Sequence, residues 1–176
     1  MNNKSDNKKL NGSSLLIIDD DKDICRELGE LFAQDNLKIF CALDGARANE
    51  IIAKNHVDVV LLDLKLPDIN GLDLISVIKN VNRDAEIIVI TGYGSLDTAT
   101  RAMKENVYDY VTKPFDPARL EITVKEAFAK IKMKKELEGK MEDLEKFKKL
   151  TIGRELEMIK LKEEIDNLKK GIKNNK

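Results

Sequence analysis

The sequence predicts an α/β fold in which five parallel strands form a doubly wound sheet and five helices cover its faces. Two observations support this fold class. Short unbroken apolar runs alternate along the chain with segments whose apolar residues recur at helical spacing. The chain also has 176 residues, which allows one domain of ordinary size and an extension.

The strands are predicted from apolar runs bounded by polar turns, a pattern typical of strands that are buried on both faces. Four runs are clear, at residues 15–18, 39–42, 57–62 and 87–90, and a weaker one covers residues 108–111. The residues before the first run are polar and lack apolar anchors. We therefore predict a disordered lead-in at residues 1–13 and a folded domain over residues 14–130.

The helices are predicted from apolar residues spaced three and four positions apart. Start signals agree with this pattern, because Asp44 can cap the second helix and Asp116, followed by Pro117, can cap the fifth. We interpret Asp21 as a cap of the first helix rather than as a ligand. In chain order the apolar faces are Ile24, Leu28, Leu31 and Phe32; Ala48, Ile51 and Ile52; Leu72, Ile75 and Ile78; Ala99, Ala102 and Met103; and Leu120, Val124, Ala127, Phe128 and Ile131.

The last helix is predicted to extend into a coiled coil over residues 131–176. Two apolar seams have heptad spacing, namely Leu137, Met141 and Leu144, and then Met158, Leu161, Ile165, Leu168 and Ile172. The seams are out of phase, and Thr151 and Gly153 weaken the helix between them, so we predict a stutter or a short break at residues 147–154. A parallel homodimer is favoured; a different coiled-coil partner and a single exposed helix are the alternatives.

Charge divides the chain into two parts. Residues 130–176 contain 15 basic and 10 acidic residues, whereas residues 1–129 contain 16 basic and 22 acidic residues, so the two surfaces differ. No apolar run approaches the roughly 20 residues of a membrane span, and the first residues lack the apolar segment of a signal peptide. Cys25 and Cys41 lack the spacing of a metal site. A cytoplasmic protein is therefore expected.

Polar side chains follow four of the predicted strands, at the point where each strand ends. They are Asp19 and Asp20 after the first strand, Asp63 after the third, Thr91 after the fourth and Lys113 after the fifth. Because ligands bind outside the carboxyl ends of strands in such sheets, these side chains are expected to converge on one rim.

The rim has the chemistry for phosphoryl transfer. Three neighbouring carboxylates repel one another, and Mg²⁺, which prefers oxygen ligands, would relieve that repulsion. A carboxylate can attack phosphorus and form an acyl phosphate. The charge that spreads over the three equatorial oxygens in the transition state could be met by Mg²⁺, the Thr91 hydroxyl and the Lys113 ammonium.

Three segments carry a family resemblance: LLIIDDDKDI, VDVVLLDLKLPDINGLDLI and IIVITGYGSLDTATRAMKENVYDYVTKPFD. In order and spacing they resemble the receiver domains of response regulators in two-component signalling, most of all receivers of the nitrogen-regulator type, over residues 14–130. The resemblance implies a flavodoxin-like fold with strand order 2-1-3-4-5. It also implies that Asp63 accepts the phosphoryl group. Asp20, Asp63 and the backbone carbonyl of Lys65 would bind Mg²⁺ directly, and Asp19 would act from the outer shell of the ion, through water or through the direct ligands.

The same resemblance implies further roles. Thr91 and Lys113 would bind the phosphoryl group, and Tyr110 would act with Thr91 as the aromatic switch. The peptide bond before Pro114 would be cis. Lys65 and Tyr93 occupy the positions that set the rate of dephosphorylation; a lysine cannot accept a hydrogen bond from water and a tyrosine is bulky, so slow loss of the phosphoryl group is expected.

The expected function is a phosphorylation-dependent signalling switch. A histidine kinase or a phosphotransfer protein would donate the phosphoryl group, and the chain would not be an enzyme in the usual sense. No DNA-binding or enzymatic output domain is recognisable, so output through protein–protein contacts is expected, without nucleic acid or membrane as a partner. The tail also resembles coiled-coil connectors between modules of two-component proteins. The alternatives are a coiled-coil scaffold, a transcription regulator that acts through the basic tail, and a phosphohydrolase, for which a second acid and a substrate cap are not found.

Overall fold

The computed structural model describes residues 12–33, 37–92 and 96–173. Strands and helices alternate throughout these residues. In chain order they are β1 (Ser14–Ile18), α1 (Lys22–Leu31), β2 (Lys38–Ala42), α2 (Gly45–Lys54), β3 (Val59–Leu62), α3 (Gly71–Val81), β4 (Glu86–Thr91), α4 (Leu96–Lys104), β5 (Asp109–Thr112) and α5 (Pro117–Lys173).

The five strands form one parallel sheet in the order β2-β1-β3-β4-β5, which confirms the predicted fold class. The register aligns the ends of the strands: Ile18 lies opposite Leu62, and Thr91 lies opposite Thr112. The residues that follow β1, β3, β4 and β5 therefore share one edge of the sheet, as expected from the sequence.

The core consists of two apolar clusters, one on each face of the sheet, because successive strand residues point to opposite faces. On one face Leu16 and Val60 lie in a cluster with Ile51 of α2 and Ile75 of α3. On the other face the cluster includes Ile17, Val59 and Leu61 together with Leu28 of α1 and Val124 and Phe128 of α5. Each fully buried Leu or Ile in these clusters contributes about 1.5–3 kcal/mol to folding.

The prediction that residues 39–42 form a strand buried on both faces is wrong in one respect. A strand is present there, but Ile39 and Phe40 are only half-buried, Cys41 is exposed and Ala42 alone is buried. The reason is the position of β2 at the edge of the sheet, where β1 is its neighbour. Composition alone does not separate an apolar edge strand from a central one.

The predicted helix caps are confirmed. Asp21 accepts a hydrogen bond from an amide in the first turn of α1 at 2.8 Å, and Asp44 accepts one from the first turn of α2 at 2.7 Å. Asp116 accepts one from the first turn of α5 at 3.0 Å. Each carboxylate satisfies a backbone donor that has no partner within its own helix.

Helix α5 is continuous from Pro117 to Lys173, so the short break predicted as one possibility at residues 147–154 is absent. There the Thr151 hydroxyl donates to the carbonyl of Phe147 at 3.0 Å. The chain divides into two compact units, with the boundary between Lys132 and Met133. In the first unit α5 buries an apolar face that ends at Ile131.

In the second unit the apolar side chains that the structure describes are exposed. They include Met133, Leu137, Met141, Leu144, Phe147, Leu150, Leu156, Met158, Leu161 and Ile165. Among the helices of the described residues, none has both the length and the apolar character needed to cross a membrane.

Candidate functional site

Three carboxylates form a compact acidic cluster at the carboxyl edge of the sheet. Asp19 follows β1 and Asp63 follows β3, and the in-register pairing of these strands makes the two residues neighbours. The Asp63 amide donates to the carbonyl of Ile18 at 2.8 Å, which fixes this arrangement. Ligand atoms of Asp19, Asp20 and Asp63 all lie within 4.8 Å of one another. Asp19 and Asp63 are buried, whereas Asp20 is exposed to solvent.

Lys113 reaches the acidic cluster from the end of β5. Its Nζ atom lies 2.6 Å from Asp19 Oδ2 and 2.7 Å from Asp63 Oδ2, and its side chain is only 19% exposed. The Lys113 amide donates to the carbonyl of Thr91 at 3.0 Å, and the bond between Lys113 and Pro114 is cis. The ammonium is therefore held between the two buried carboxylates.

Burial and hydrogen bonding act in opposite directions on the charges of this group. Burial raises the pKa of the Asp19 carboxyl, and this effect exceeds the opposing effects of the hydrogen bonds from Lys113 and from the Asp21 amide. Burial alone would lower the pKa of Lys113, but its hydrogen bonds to Asp19 and Asp63 and the attraction of both carboxylates together leave that pKa above its ordinary value. Lys113 is therefore charged at neutral pH.

The donor set fits a divalent cation. The cluster brings three carboxylates together against one ammonium, and carboxylate oxygens are ligands that Mg²⁺ prefers. Asp63 Oδ2 contacts Lys113, and Asp63 Oδ1 accepts a hydrogen bond from the Lys65 amide at 3.0 Å. This second bond brings the backbone of Lys65, the expected carbonyl ligand, to the carboxylate of Asp63.

The predicted switch residues lie on β4 and β5. Thr91 is fully buried at the end of β4, beside β3. Tyr110 is half-buried on β5, and its hydroxyl lies 3.3 Å from the Thr98 hydroxyl on α4. The phenol ring thus contacts α4 and is not fully exposed. Tyr93, the second residue expected to influence dephosphorylation, lies outside the described residues.

Asp68 was missed by the sequence reasoning. It lies in the loop between β3 and α3, and its carboxylate accepts hydrogen bonds from the amides of Gly45 and Ala46 at the start of α2, both at 2.8 Å. The surrounding sequence, LPDING, is typical of a turn, but it does not identify the partners of Asp68. Its partners lie 22 and 23 residues away, and no local pattern identifies them.

Comparison with known proteins agrees with this geometry. The family model of the response regulator receiver domain matches residues 15–125. Sporulation initiation phosphotransferase F from Bacillus subtilis is 32% identical over 111 residues, which are 63% of this chain and 90% of that protein. A response regulator receiver domain from Clostridium thermocellum superposes with a TM-score of 0.64 at 31% identity, covering 69% of this chain and 98% of that one.

Other curated relatives are much longer than the matched region. The putative response regulator NtrX-like of Rickettsia bellii is 32% identical over 157 residues, which are 86% of this chain but 32% of that protein. The chain spans about a quarter to a third of the length of several such relatives.

Receiver domains are phosphoryl acceptors rather than enzymes in the ordinary sense. They bind Mg²⁺ at an acidic pocket and interact with histidine kinases or phosphotransfer proteins. The family model matches most of the chain, the match spans almost the whole of one relative, and a solved receiver domain has the same fold. The chain therefore belongs to the response regulator receiver domain family, whose members are phosphorylation-dependent switches of two-component systems.

Proposed function

We propose that Asp63 is the phosphoryl acceptor of this chain and that a histidine kinase or a phosphotransfer protein is the donor. The observation that supports this proposal best is the contact of Lys113 with Asp63 at 2.7 Å inside the acidic cluster. A carboxylate oxygen of Asp63 would form the new bond to phosphorus while the bond from phosphorus to the donor imidazole breaks. The imidazole nitrogen would keep the electron pair of the broken bond.

The same proposal assigns the magnesium ligands. Asp20, Asp63 and the backbone carbonyl of Lys65 would hold Mg²⁺, and Asp19 would hold one of its water molecules. The bound ion would neutralise charge on the transferring phosphoryl group. Asp20 is the exposed carboxylate of the cluster, so an ion and a phosphodonor can both approach it from solvent.

Lys113 and Thr91 would bind the phosphoryl group once it is attached. Lys113 contacts both Asp19 and Asp63, so it can transfer its hydrogen bond from Asp63 to a phosphoryl oxygen while Asp19 continues to hold it. Thr91 is on the strand next to Asp63, and its hydroxyl would donate to a second oxygen. Movement of Thr91 toward the phosphoryl group would allow Tyr110 to reposition. That would change the surface formed by α4, β5 and α5, through which we propose protein–protein output.

Slow dephosphorylation is a further part of the proposal. The ammonium of Lys65 cannot accept a hydrogen bond from the attacking water, and Tyr93 would cover its approach. Loss of labelled phosphoryl group from the wild type and from Lys65→Asn/Tyr93→Glu tests this idea. The double variant should lose the label at least about tenfold faster, equivalent to roughly 1.4 kcal/mol of barrier; an unchanged rate would exclude a role for these side chains.

The domain limits proposed from the sequence are a receiver domain at residues 14–130 and a coiled-coil tail at 131–176 that joins two copies. The support for the tail proposal is the stripe of exposed Leu, Ile and Met residues from Met133 to Ile165, which is hard to leave in water. A cytoplasmic location belongs to the same proposal, because Cys25 and Cys41 are free thiols and suit a reducing compartment.

Acetyl phosphate tests the acceptor. With Mg²⁺ it should add one phosphoryl group to the full chain, as measured by intact mass. Asp63→Asn and removal of the metal with a chelator should each abolish the addition, whereas Asp73→Asn, which changes an exposed aspartate in the first turn of α3, should leave it intact. Undiminished labelling of Asp63→Asn would place the acceptor elsewhere.

A further inference from the structure

The loop between β3 and α3 is attached at its tip to the start of α2. This acceptor loop, residues 63–71, begins with the proposed phosphoryl acceptor and ends with the first residue of α3. At its tip the two carboxylate oxygens of Asp68 accept hydrogen bonds from Gly45 and Ala46, each at 2.8 Å. One side chain thus connects the acceptor loop with a helix more than 20 residues away.

This attachment completes the capping of α2. Asp44 accepts the amide of Arg47, and Asp68 accepts the amides of Gly45 and Ala46, so the first three amides of the helix all have partners. The first turn of α2 contains no acidic residue, and Asp68 supplies negative charge at the positive end of the helix. Asp68 is exposed, and the hydrogen bond from the Gly45 amide contributes most to holding its pKa below the ordinary value.

The contact is also close-packed. A Cβ atom at Gly45 would lie 2.2 Å from Ile69 Cγ2 and 3.3 Å from Asp68 Oδ1. A side chain there would overlap the Ile69 side chain, so Ile69 or the acceptor loop would have to move. The sequence therefore has a glycine where the helix and the loop meet.

The base of the acceptor loop is closed as tightly as its tip. The Gly71 amide donates to the carbonyl of Leu64 at 3.0 Å, and Lys65 forms an isolated antiparallel bridge with Asn70. A Cβ atom at Gly71 would lie 2.5 Å from Leu64 Cα and 2.8 Å from the carbonyl oxygen of Asp63. The short segment between these contacts has little freedom, so a shift of the tip would move the backbone of Lys65.

We propose that Asp68 is a positioning residue for the magnesium site: by holding the tip of the acceptor loop on α2, it fixes the direction of the Lys65 carbonyl and of the Asp63 carboxylate. This inference rests on the proposed function, because it assigns Asp68 a role in the site where Asp63 accepts the phosphoryl group. Asp68 itself touches neither the ion nor the phosphoryl group; it acts through the backbone of the loop.

The test compares two caps of the same helix. Asp68→Ala removes the cap that belongs to the acceptor loop, and Asp44→Ala removes the local cap and leaves the loop attached. The measurement is the Mg²⁺ concentration that gives half the maximal initial rate of labelling by acetyl phosphate. We expect it to rise about tenfold in Asp68→Ala, the lower end of what partners that orient metal ligands contribute, and to stay unchanged in Asp44→Ala. Urea unfolding of both variants measures the loss of stability that they share.

Two further variants make the test independent of one substitution. Asp68→Asn keeps one acceptor oxygen and should lie between the wild type and Asp68→Ala. Gly45→Ala disturbs the contact from the α2 side and should raise the half-maximal Mg²⁺ concentration, even if Asp68→Ala fails to fold. If the variants that fold bind Mg²⁺ as the wild type does, or if Asp44→Ala shows the same change, Asp68 has only a structural role. Failure of the wild type to be labelled, or labelling of Asp63→Asn, would instead refute the proposed function.

Discussion

At the scale of single residues, Lys113 places a positive charge inside the acidic cluster. Its ammonium contacts Asp19 and Asp63 and offsets part of the negative charge of the cluster. A monovalent cation fixed inside the site competes electrostatically with a divalent ion that approaches the same oxygens. Loss of Lys113 should therefore affect Mg²⁺ binding and phosphoryl binding in opposite directions.

Lys113→Met tests this opposition. Without Mg²⁺ its free energy of unfolding should fall by about 3 kcal/mol, because two buried carboxylates lose their cation. Added Mg²⁺ should raise its melting temperature more than that of the wild type, because the Lys113 ammonium no longer competes with the ion for the carboxylate oxygens. Labelling by acetyl phosphate should nevertheless become slower. Lys54→Met, at the end of α2, is the control, and an equal response to Mg²⁺ in all three proteins would contradict the electrostatic argument.

The sequence predicts well which residues lie at the rim of the sheet. It predicts less well which atoms of these residues contact one another. Asp19, Asp63 and Lys113 follow predicted strands, and parallel strands end on the same edge, so their meeting follows from topology. The contact of Lys113 with both carboxylates depends on side-chain geometry across β4, which the sequence does not encode locally. The contacts of Asp68 could not be predicted for the same reason, because its partners in α2 become its neighbours only in the folded chain.

At the scale of elements, two glycines in helices have opposite surroundings. Gly71 begins α3 with backbone atoms of Asp63 and Leu64 within 3 Å of any added Cβ. Gly29 lies inside α1, and an added Cβ there would meet nothing within 4 Å. The same substitution at the two positions should therefore change stability in opposite directions.

Gly71→Ala should lower the free energy of unfolding by about 1–3 kcal/mol, the usual cost of forcing atoms into a packed site. Gly29→Ala should raise it by about 0.5–1 kcal/mol, because alanine loses less backbone entropy in a helix. Urea unfolding of both variants measures these changes. Destabilisation by Gly29→Ala would contradict the open space around Gly29.

The elements also show where sequence patterns are ambiguous. All five strands were predicted within two residues of their observed limits, yet β2 was expected to be buried on both faces and is an edge strand. An apolar run reveals a strand but not the number of its neighbours. In α5, Thr151 and Gly153 suggested a possible break, but the helix continues through both residues. Each lowers helix propensity, yet each keeps its backbone N–H and can therefore still donate the helical hydrogen bond.

At the scale of the whole molecule, the proposed dimer depends on the exposed apolar residues of the tail. Leu161→Glu/Ile165→Glu in the full chain should raise the dimer dissociation constant at least about 100-fold, since each buried Leu or Ile contributes roughly 1.5–3 kcal/mol. Lys162→Glu, which changes an exposed charge beside Leu161, is the control. Light scattering at micromolar concentration measures the mass. A monomeric wild type would exclude the homodimer.

Association of two copies would also bring two sheets close together. The open edge of β2 could then influence whether the protein aggregates. An exposed apolar edge can add strands from another copy and start a fibre. Here β2 begins with the exposed Lys38 and β5, at the opposite edge, begins with Asp109, and both strands are short. A charge at each edge and few free backbone groups oppose open-ended stacking, so a dimer formed through the tail would concentrate receiver domains without turning their sheets into templates for aggregation.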